Sequence, residues 1–155
     1  MSSSPPGTTV IAAVDFSDHG EQIVREALLL ARAAGSSLHL VHVAAGEPVL
    51  AGYDKEDISS FTRSARAGEL TDEHRKVREL AETLTDTTGV DVHPLVIMGP
   101  ASETLLTAIE ELNASHIVLG THGHGGMHHL MFGSVAQELV RRSNVPVLLV
   151  PVVKR

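Results

Sequence analysis

The feature that most constrains the fold is a regular alternation of short apolar runs with segments of helical spacing. Five runs rich in β-branched residues recur along the 155 residues. Most of them are almost continuously apolar, which is typical of strands covered on both faces. We expect strands at Thr9–Val14, Leu38–Val43, Val92–Ile97, His116–Leu119 and Val145–Val150.

Between the runs, apolar residues return every three or four positions, as on one face of an amphipathic helix. Strands that alternate with helices predict a parallel sheet joined by right-handed crossovers. We therefore expect an α/β fold, a five-stranded parallel sheet with helices on both faces. The apolar stripes lie at Ile23–Ala31, Val77–Leu84, Leu105–Leu112 and Val135–Val140.

Local signals indicate where these helices begin and end. Gly35 and Gly89 follow two of the stripes, where glycine is the usual helix terminator. Asp18 with Glu21, and Ser134 with Gln137, have the spacing of a capping box. The segment Gly46–Ser60, rich in glycine, proline and charge, is predicted to be a loop over one end of the sheet.

The length and composition fit one domain that starts near residue 8 and runs to residue 155. Residues 1–7 read as a disordered tail without the features of a secretion signal. No apolar run approaches the roughly 20 residues that cross a bilayer. The absence of cysteine fits a cytoplasmic protein, and a net charge of −7 argues against nucleic acid as a partner.

The expected ligand crevice lies where the strand order reverses, beyond the carboxyl ends of the strands. In a sheet of order 3-2-1-4-5, that position falls between the first and fourth strands. The first strand runs into Asp15, and the fourth runs into the glycine-rich segment that starts at Gly120. Topology and composition therefore point to the same place.

Clustered glycines let the backbone approach a ligand closely and expose successive N–H groups. A helix that begins near Gly133 and Ser134 would add free N–H groups and the positive end of its dipole. The segment is thus a candidate phosphate cradle, although a plain tight turn with a capping serine explains the same spacing. The chain has neither GxxxxGK[ST] nor a GxGxxG turn after its first strand, which argues against a P-loop or a dinucleotide fold.

The chain resembles the universal stress protein family, whose ATP-binding members carry Gly, two residues, Gly, nine residues, Gly and then Ser or Thr. Here these positions are Gly120, Gly123, Gly133 and Ser134. The first, second and last strands also resemble those of the family, so the likeness covers about Thr8 to Val152. The resemblance implies a Rossmann-like fold that binds ATP, with Mg²⁺ expected to accompany the phosphates.

The resemblance also implies roles for single residues. Asp15 would contact the nucleoside, the main chain of Val43 would bond the adenine edge, and Leu119 would line the adenine pocket. Gly120 and Gly123 would pack against the ribose and phosphates. Phosphate contacts would come from Gly133, Ser134 and Val135. The last strand, Val147 to Val152, would pair with its copy in a homodimer.

The family often has Arg or Lys in the glycine-rich loop, where this chain has His124, His128 and His129. Neutral imidazoles offer less charge to a triphosphate, so we expect tighter nucleotide binding near pH 6 than near pH 8. No cysteine and no acid lie in this loop, so the histidines are not assigned to a metal site. His42 and His116, within strands, are interpreted as core or edge residues.

The function expected from these features is an ATP-dependent sensor or switch in the stress response, with an unknown downstream protein partner. At most it would be a slow ATPase, because no residue pair clearly positions a water, and no catalytic residue is assigned. Two alternatives stay open. One is a dedicated ATPase or phosphotransferase that uses His122 or His124, and the other is a dimeric interaction module without nucleotide.

Overall fold

A computed structural model of the chain describes residues 9–16, 20–44, 59–121 and 132–151, and for residues 59–70 only the backbone. Strands and helices alternate along these ranges, as the sequence predicts. The elements are β1 (Thr9–Ala13), α1 (Gly20–Ala34), β2 (Ser37–Ala44), α2 (Ser59–Thr88), β3 (Val92–Met98), α3 (Ala101–Glu111), β4 (Ala114–Gly120), α4 (Ser134–Arg142) and β5 (Val147–Val150).

The strands form one parallel sheet in the order β3-β2-β1-β4-β5, which confirms the predicted topology. β1 lies between β2 and β4, so the strand order reverses on its β4 side. β3 is an edge strand, which explains how it tolerates Pro94, a residue that cannot donate a ladder hydrogen bond.

Both faces of the sheet are covered, because successive side chains of a buried strand point to opposite faces. One core lies under α1 and α2, where Ala27, Ala31 and Val77 are fully buried against Val10 and Leu40. The second lies under α3 and α4 and includes Ile11, Val41, Ile117 and Leu139. The helices on both faces are therefore confirmed.

Glycine ends the first two helices as predicted. Gly35 and Gly89 have φ of 63° and 74°, a left-handed conformation that glycine adopts without a Cβ clash. After α1, the N–H of Ser36 donates to the carbonyl of Ala31 at 2.8 Å, and that of Gly35 donates to Arg32 at 3.3 Å. This is the paired pattern of a Schellman motif.

The predicted capping box at Ser134 and Gln137 is wrong. The N-cap of α4 is Gly133, and Ser134 is already the first helical residue. The side chain of Gln137 instead donates to the carbonyl of Phe132 at 2.6 Å. The helix starts one residue earlier than the pattern suggests, so Ser134 and Gln137 do not occupy the N-cap and N3 positions of a capping box.

Three other predictions fall largely outside the described residues: the tail 1–7, the cap at Asp18 and the loop Gly46–Ser60. Of that loop, Ser59 and Ser60 already belong to α2. Among the described helices, none is both long and apolar enough to cross a membrane.

Candidate functional site

The candidate site lies at the carboxyl edge of the sheet, where β1 and β4 end side by side. Ala12 of β1 is paired with Val118 of β4, so the residues that follow each strand continue at the same edge. The N–H of Thr121 donates to the carbonyl of Val150 at 3.0 Å. Thr121 in turn accepts a 2.7 Å hydrogen bond from the N–H of Gly133. These two bonds fix the start of α4 beside the end of β4.

The start of α4 has the properties of an anion site. The first N–H groups of a helix have no partner within the helix, and the helix dipole adds partial positive charge there. Gly133 is extended (φ −59°, ψ 160°) and its carbonyl accepts the N–H of Gln137 at 3.0 Å. Ser134 is exposed, and its hydroxyl makes no hydrogen bond among the described residues. Val135 is half-buried beside it.

The remaining predicted site residues in the described chain lie in or just after three different strands. Asp15 is half-buried, two residues beyond β1. Val43 is the penultimate residue of β2, and Gly120 ends β4 opposite Val150. The side chains of Val43 and Leu119 pack in the core under α3 and α4, and Leu119 is only 4% exposed. Gly123 and the histidines at 122, 124, 128 and 129 lie outside the described residues.

Sequence reasoning missed Phe16, which follows Asp15 with a φ of 58°. A left-handed conformation is uncommon for a bulky residue and costs roughly 1–2 kcal/mol. The residue is 38% exposed, and its ring lies 4.7 Å from the His42 ring, centroid to centroid. The ammonium group of Lys76, a residue of α2, lies 5.7 Å from the centroid of the Phe16 ring. Nothing in the local sequence signals this conformation, because it depends on contacts from β2 and α2.

Both ring nitrogens of His42 lie close to oxygen atoms of other elements. Its Nδ1 lies 2.8 Å from the carbonyl oxygen of Val14, and its Nε2 lies 3.4 Å from Oε2 of Glu73 on α2. His116 fits the prediction of a core or edge residue, because it is half-buried in β4 with its Nδ1 3.0 Å from the Ser115 hydroxyl. The carboxyl edge thus combines an acid after β1, a buried imidazole next to a half-buried carboxylate, and a helix N-terminus.

Comparison with known proteins identifies the class of this arrangement. The family model of the universal stress protein family matches residues 8–151. A universal stress protein of Thermus aquaticus is 33% identical over 142 residues, which span 92% of this chain and 97% of that protein.

Solved structures agree on the fold. The universal stress protein UspA from Lactobacillus plantarum superposes with a TM-score of 0.78 at 18% identity, covering 95% of this chain and 99% of that one. A universal stress protein from Archaeoglobus fulgidus, solved in complex with dAMP, superposes with a TM-score of 0.56 at 24% identity and covers 92% and 96% of the two chains. Because the family model matches almost the whole length of the chain, the chain belongs to the universal stress protein family.

Proposed function

We propose that this protein binds ATP at the carboxyl edge of its sheet and acts as a nucleotide-dependent switch in the stress response. The supporting observation is the pair of hydrogen bonds that joins Thr121 to Val150 and to Gly133. They hold the N-terminus of α4 next to the end of β4, one strand away from Asp15. An adenine nucleotide could therefore reach both an acid for its ribose and free amides for its phosphates.

The roles follow the resemblance. Asp15 would contact the nucleoside, and the main chain of Val43 would meet the adenine edge. Leu119 would line the adenine pocket, and Gly120 and Gly123 would pack against the ribose and phosphates. The amides of Ser134 and Val135, with the serine hydroxyl, would hold the phosphates. Gly133 would contact them through its backbone without its N–H, which already donates to the carbonyl of Thr121.

Mg²⁺ would enter with the nucleotide rather than into a cage of protein ligands. Within the described ranges, no three His, Asp or Glu side chains are grouped closely enough to hold a metal ion. Phosphate oxygens and water supply most Mg²⁺ ligands in such sites.

The relative solved with dAMP supports an adenine nucleotide as the ligand class. We further propose that residues 8–155 form one domain and that two copies pair through β5 as a homodimer. This dimer would act in the cytoplasm, together with a downstream protein partner. The lack of cysteine supports that compartment.

The decisive experiment is to denature the purified protein and identify the nucleotides that are released. ATP is expected, and titration of the emptied protein with ATP, ADP and AMP would rank them. No released nucleotide, together with a melting temperature that ATP leaves unchanged, would instead favour the interaction module. Steady phosphate release that is lost in a His122→Ala or His124→Ala variant would favour a dedicated ATPase.

Ser134→Ala tests the phosphate end of the site. Its hydroxyl makes no hydrogen bond among the described residues, so the melting temperature should stay unchanged. ATP affinity should fall roughly tenfold, the usual cost of losing a hydrogen bond to a charged group. Ser102→Ala, at the start of α3, is the matched control because it changes the same side chain at another helix N-terminus. Equal ATP affinities for the two variants would contradict the assignment.

A further inference from the structure

His42 ties β2 to the turn that carries Asp15. Its Nδ1 lies 2.8 Å from the carbonyl oxygen of Val14, the residue before Asp15. A carbonyl oxygen can only accept, so Nδ1 carries a hydrogen and donates it. The N–H of Val14 also donates to the carbonyl of Val41 at 3.0 Å. Val14 is therefore held to β2 through both its N–H and its carbonyl.

The other ring nitrogen of His42 faces a carboxylate. Nε2 lies 3.4 Å from Oε2 of Glu73, is buried, and makes no hydrogen bond to any described residue. Because the hydrogen of a neutral ring is already on Nδ1, Nε2 would point its lone pair at the carboxylate oxygen. That arrangement is repulsive where water cannot intervene. One additional proton, on Nε2 or on Glu73, replaces the repulsion by an attractive contact.

The surroundings of this pair are otherwise sparse in charge within the described part of the chain. α2 contributes Glu73 and also Lys76, which lies over the Phe16 ring. Asp15 follows directly after the carbonyl that His42 contacts. β3 offers Val96 at the position paired with His42, and α1 packs apolar side chains on this face of the sheet. Among the described side chains, the His42 imidazole is the one group that forms an ion pair with Glu73.

The turn itself is strained and depends on His42. Phe16 has a φ of 58°, and its ring packs at 4.7 Å from the imidazole ring, tilted by 52°. Such conformations persist only where the surrounding contacts hold them, and they cluster at ligand sites. Here the holding contacts come from His42 on one side and Lys76 on the other.

We propose that His42 is a positioning residue of the nucleotide site and that it shares one proton with Glu73. While this proton is bound, α2 and β2 together hold the turn at residues 14–16 and so fix Asp15. When the proton is lost, His42 and Glu73 separate, the turn relaxes and nucleotide affinity falls. This regulation by pH rests on the function proposed above, but the proton and the turn can be tested without nucleotide.

The first experiment follows the histidine nitrogens of the nucleotide-free, full-length protein by ¹⁵N NMR between pH 5 and pH 9. We expect Nδ1 of His42 to stay protonated throughout, while the proton facing Glu73 is lost as the pH rises. The backbone amides of Asp15 and Phe16 should shift with the same midpoint. Glu73→Gln should move that midpoint to lower pH. Glu79→Gln, an exposed carboxylate on the same helix, should leave it in place.

The second experiment measures ATP affinity at pH 6 and pH 8.5. The wild type should bind roughly fivefold more weakly at the higher pH, a modest coupling of two sites. Glu73→Gln should reduce this ratio, and Glu79→Gln should not. Because both variants keep the loop histidines at 124, 128 and 129, any pH effect of those residues is common to both. His42→Asn, which keeps a donor for Val14 but lacks Nε2, should also reduce the ratio.

The outcomes separate the two proposals. Amides of Asp15 and Phe16 that do not follow His42, or a midpoint that Glu73→Gln and Glu79→Gln change equally, would overturn the shared proton. If these NMR results hold but no nucleotide binds at either pH, the ATP site is wrong and the proton-dependent turn stands. If nucleotide binds with the same pH ratio in wild type and Glu73→Gln, the turn does not control the site and the proposal fails.

Discussion

Gly99 joins β3 to α3 in a backbone conformation that other residues rarely adopt, with a φ of 149°. A Cβ at this position would lie 2.6 Å from the Thr104 hydroxyl oxygen. We therefore expect Gly99→Ala to lower the free energy of unfolding by about 1–3 kcal/mol, measured by urea denaturation. Adding Thr104→Ala should restore only part of the loss, because it relieves the contact and not the backbone strain.

Gly20→Ala is the matched control, since no heavy atom lies within 4 Å of the corresponding Cβ and the backbone there is unstrained. It should leave stability unchanged or raise it slightly, because alanine has the higher helix propensity. Equal stabilities for Gly99→Ala and Gly20→Ala would show that the conformation of Gly99 is not required.

Single residues also show how far the sequence can predict the site. The helix ends at Gly35 and Gly89 follow from local pattern, because each is set by its neighbours along the chain. The left-handed Phe16 and the contact between His42 and Glu73 do not, because they join residues far apart in sequence. No spacing rule connects position 42 with position 73, since their distance depends on how α2 crosses β2.

Two strands place a pair of imidazoles in contact. His39 of β2 and His93 of β3 are paired in register and their rings stack at 4.8 Å. Burial lowers the pKa of His39 below its ordinary value of 6.5, and the positive charge of His93 lowers it further, while Asp91 partly opposes both. His93 itself contacts Asp91 at 2.9 Å.

The lowered pKa of His39 makes stability depend on pH. Below pH 6.5 the unfolded chain binds a proton at His39 that the folded chain still excludes. Unfolding then takes up a proton, so the free energy of unfolding falls as the pH drops through this range. In His39→Leu, the loss of melting temperature between pH 7.5 and pH 5.5 should be smaller by on the order of 2–4 °C. The exposed His74→Gln on α2 serves as control, and an equal pH response in both variants would contradict the prediction.

The sequence predicts the strands and helices more completely than it predicts the side-chain contacts of the candidate site. All five strands and their parallel arrangement follow from apolar runs and from the rules of α/β folds, and their order is the one expected of a Rossmann-like fold. The predicted start of the last strand is two residues early, because Val145 and Pro146 precede β5. The start of α4 is misplaced by one residue for a similar reason. Boundaries depend on which backbone bonds the neighbouring elements satisfy, as between Gly133 and Thr121.

At the scale of the whole molecule, the sheet leaves β5 with a strand on one side only in the described chain. This strand is short and apolar, and Leu148 is 39% exposed. An apolar edge strand is a template for pairing with another chain, and in a symmetric dimer the same edge serves both copies. The proposed homodimer would cover this edge and bury Leu148.

Leu148→Lys should therefore weaken the dimer, because a charged side chain on an edge strand opposes pairing. We expect sedimentation velocity to show a dimer for the wild type and a dissociation constant raised roughly ten- to a hundredfold in the variant. Leu29→Lys introduces the same charge at a residue of α1 that is 57% exposed, and it should leave the dimer intact. A wild-type protein that is monomeric at micromolar concentration would contradict the β5 interface. So would a Leu29→Lys variant that dissociates as readily as Leu148→Lys, since the effect would then reflect added charge and not the position on the sheet edge.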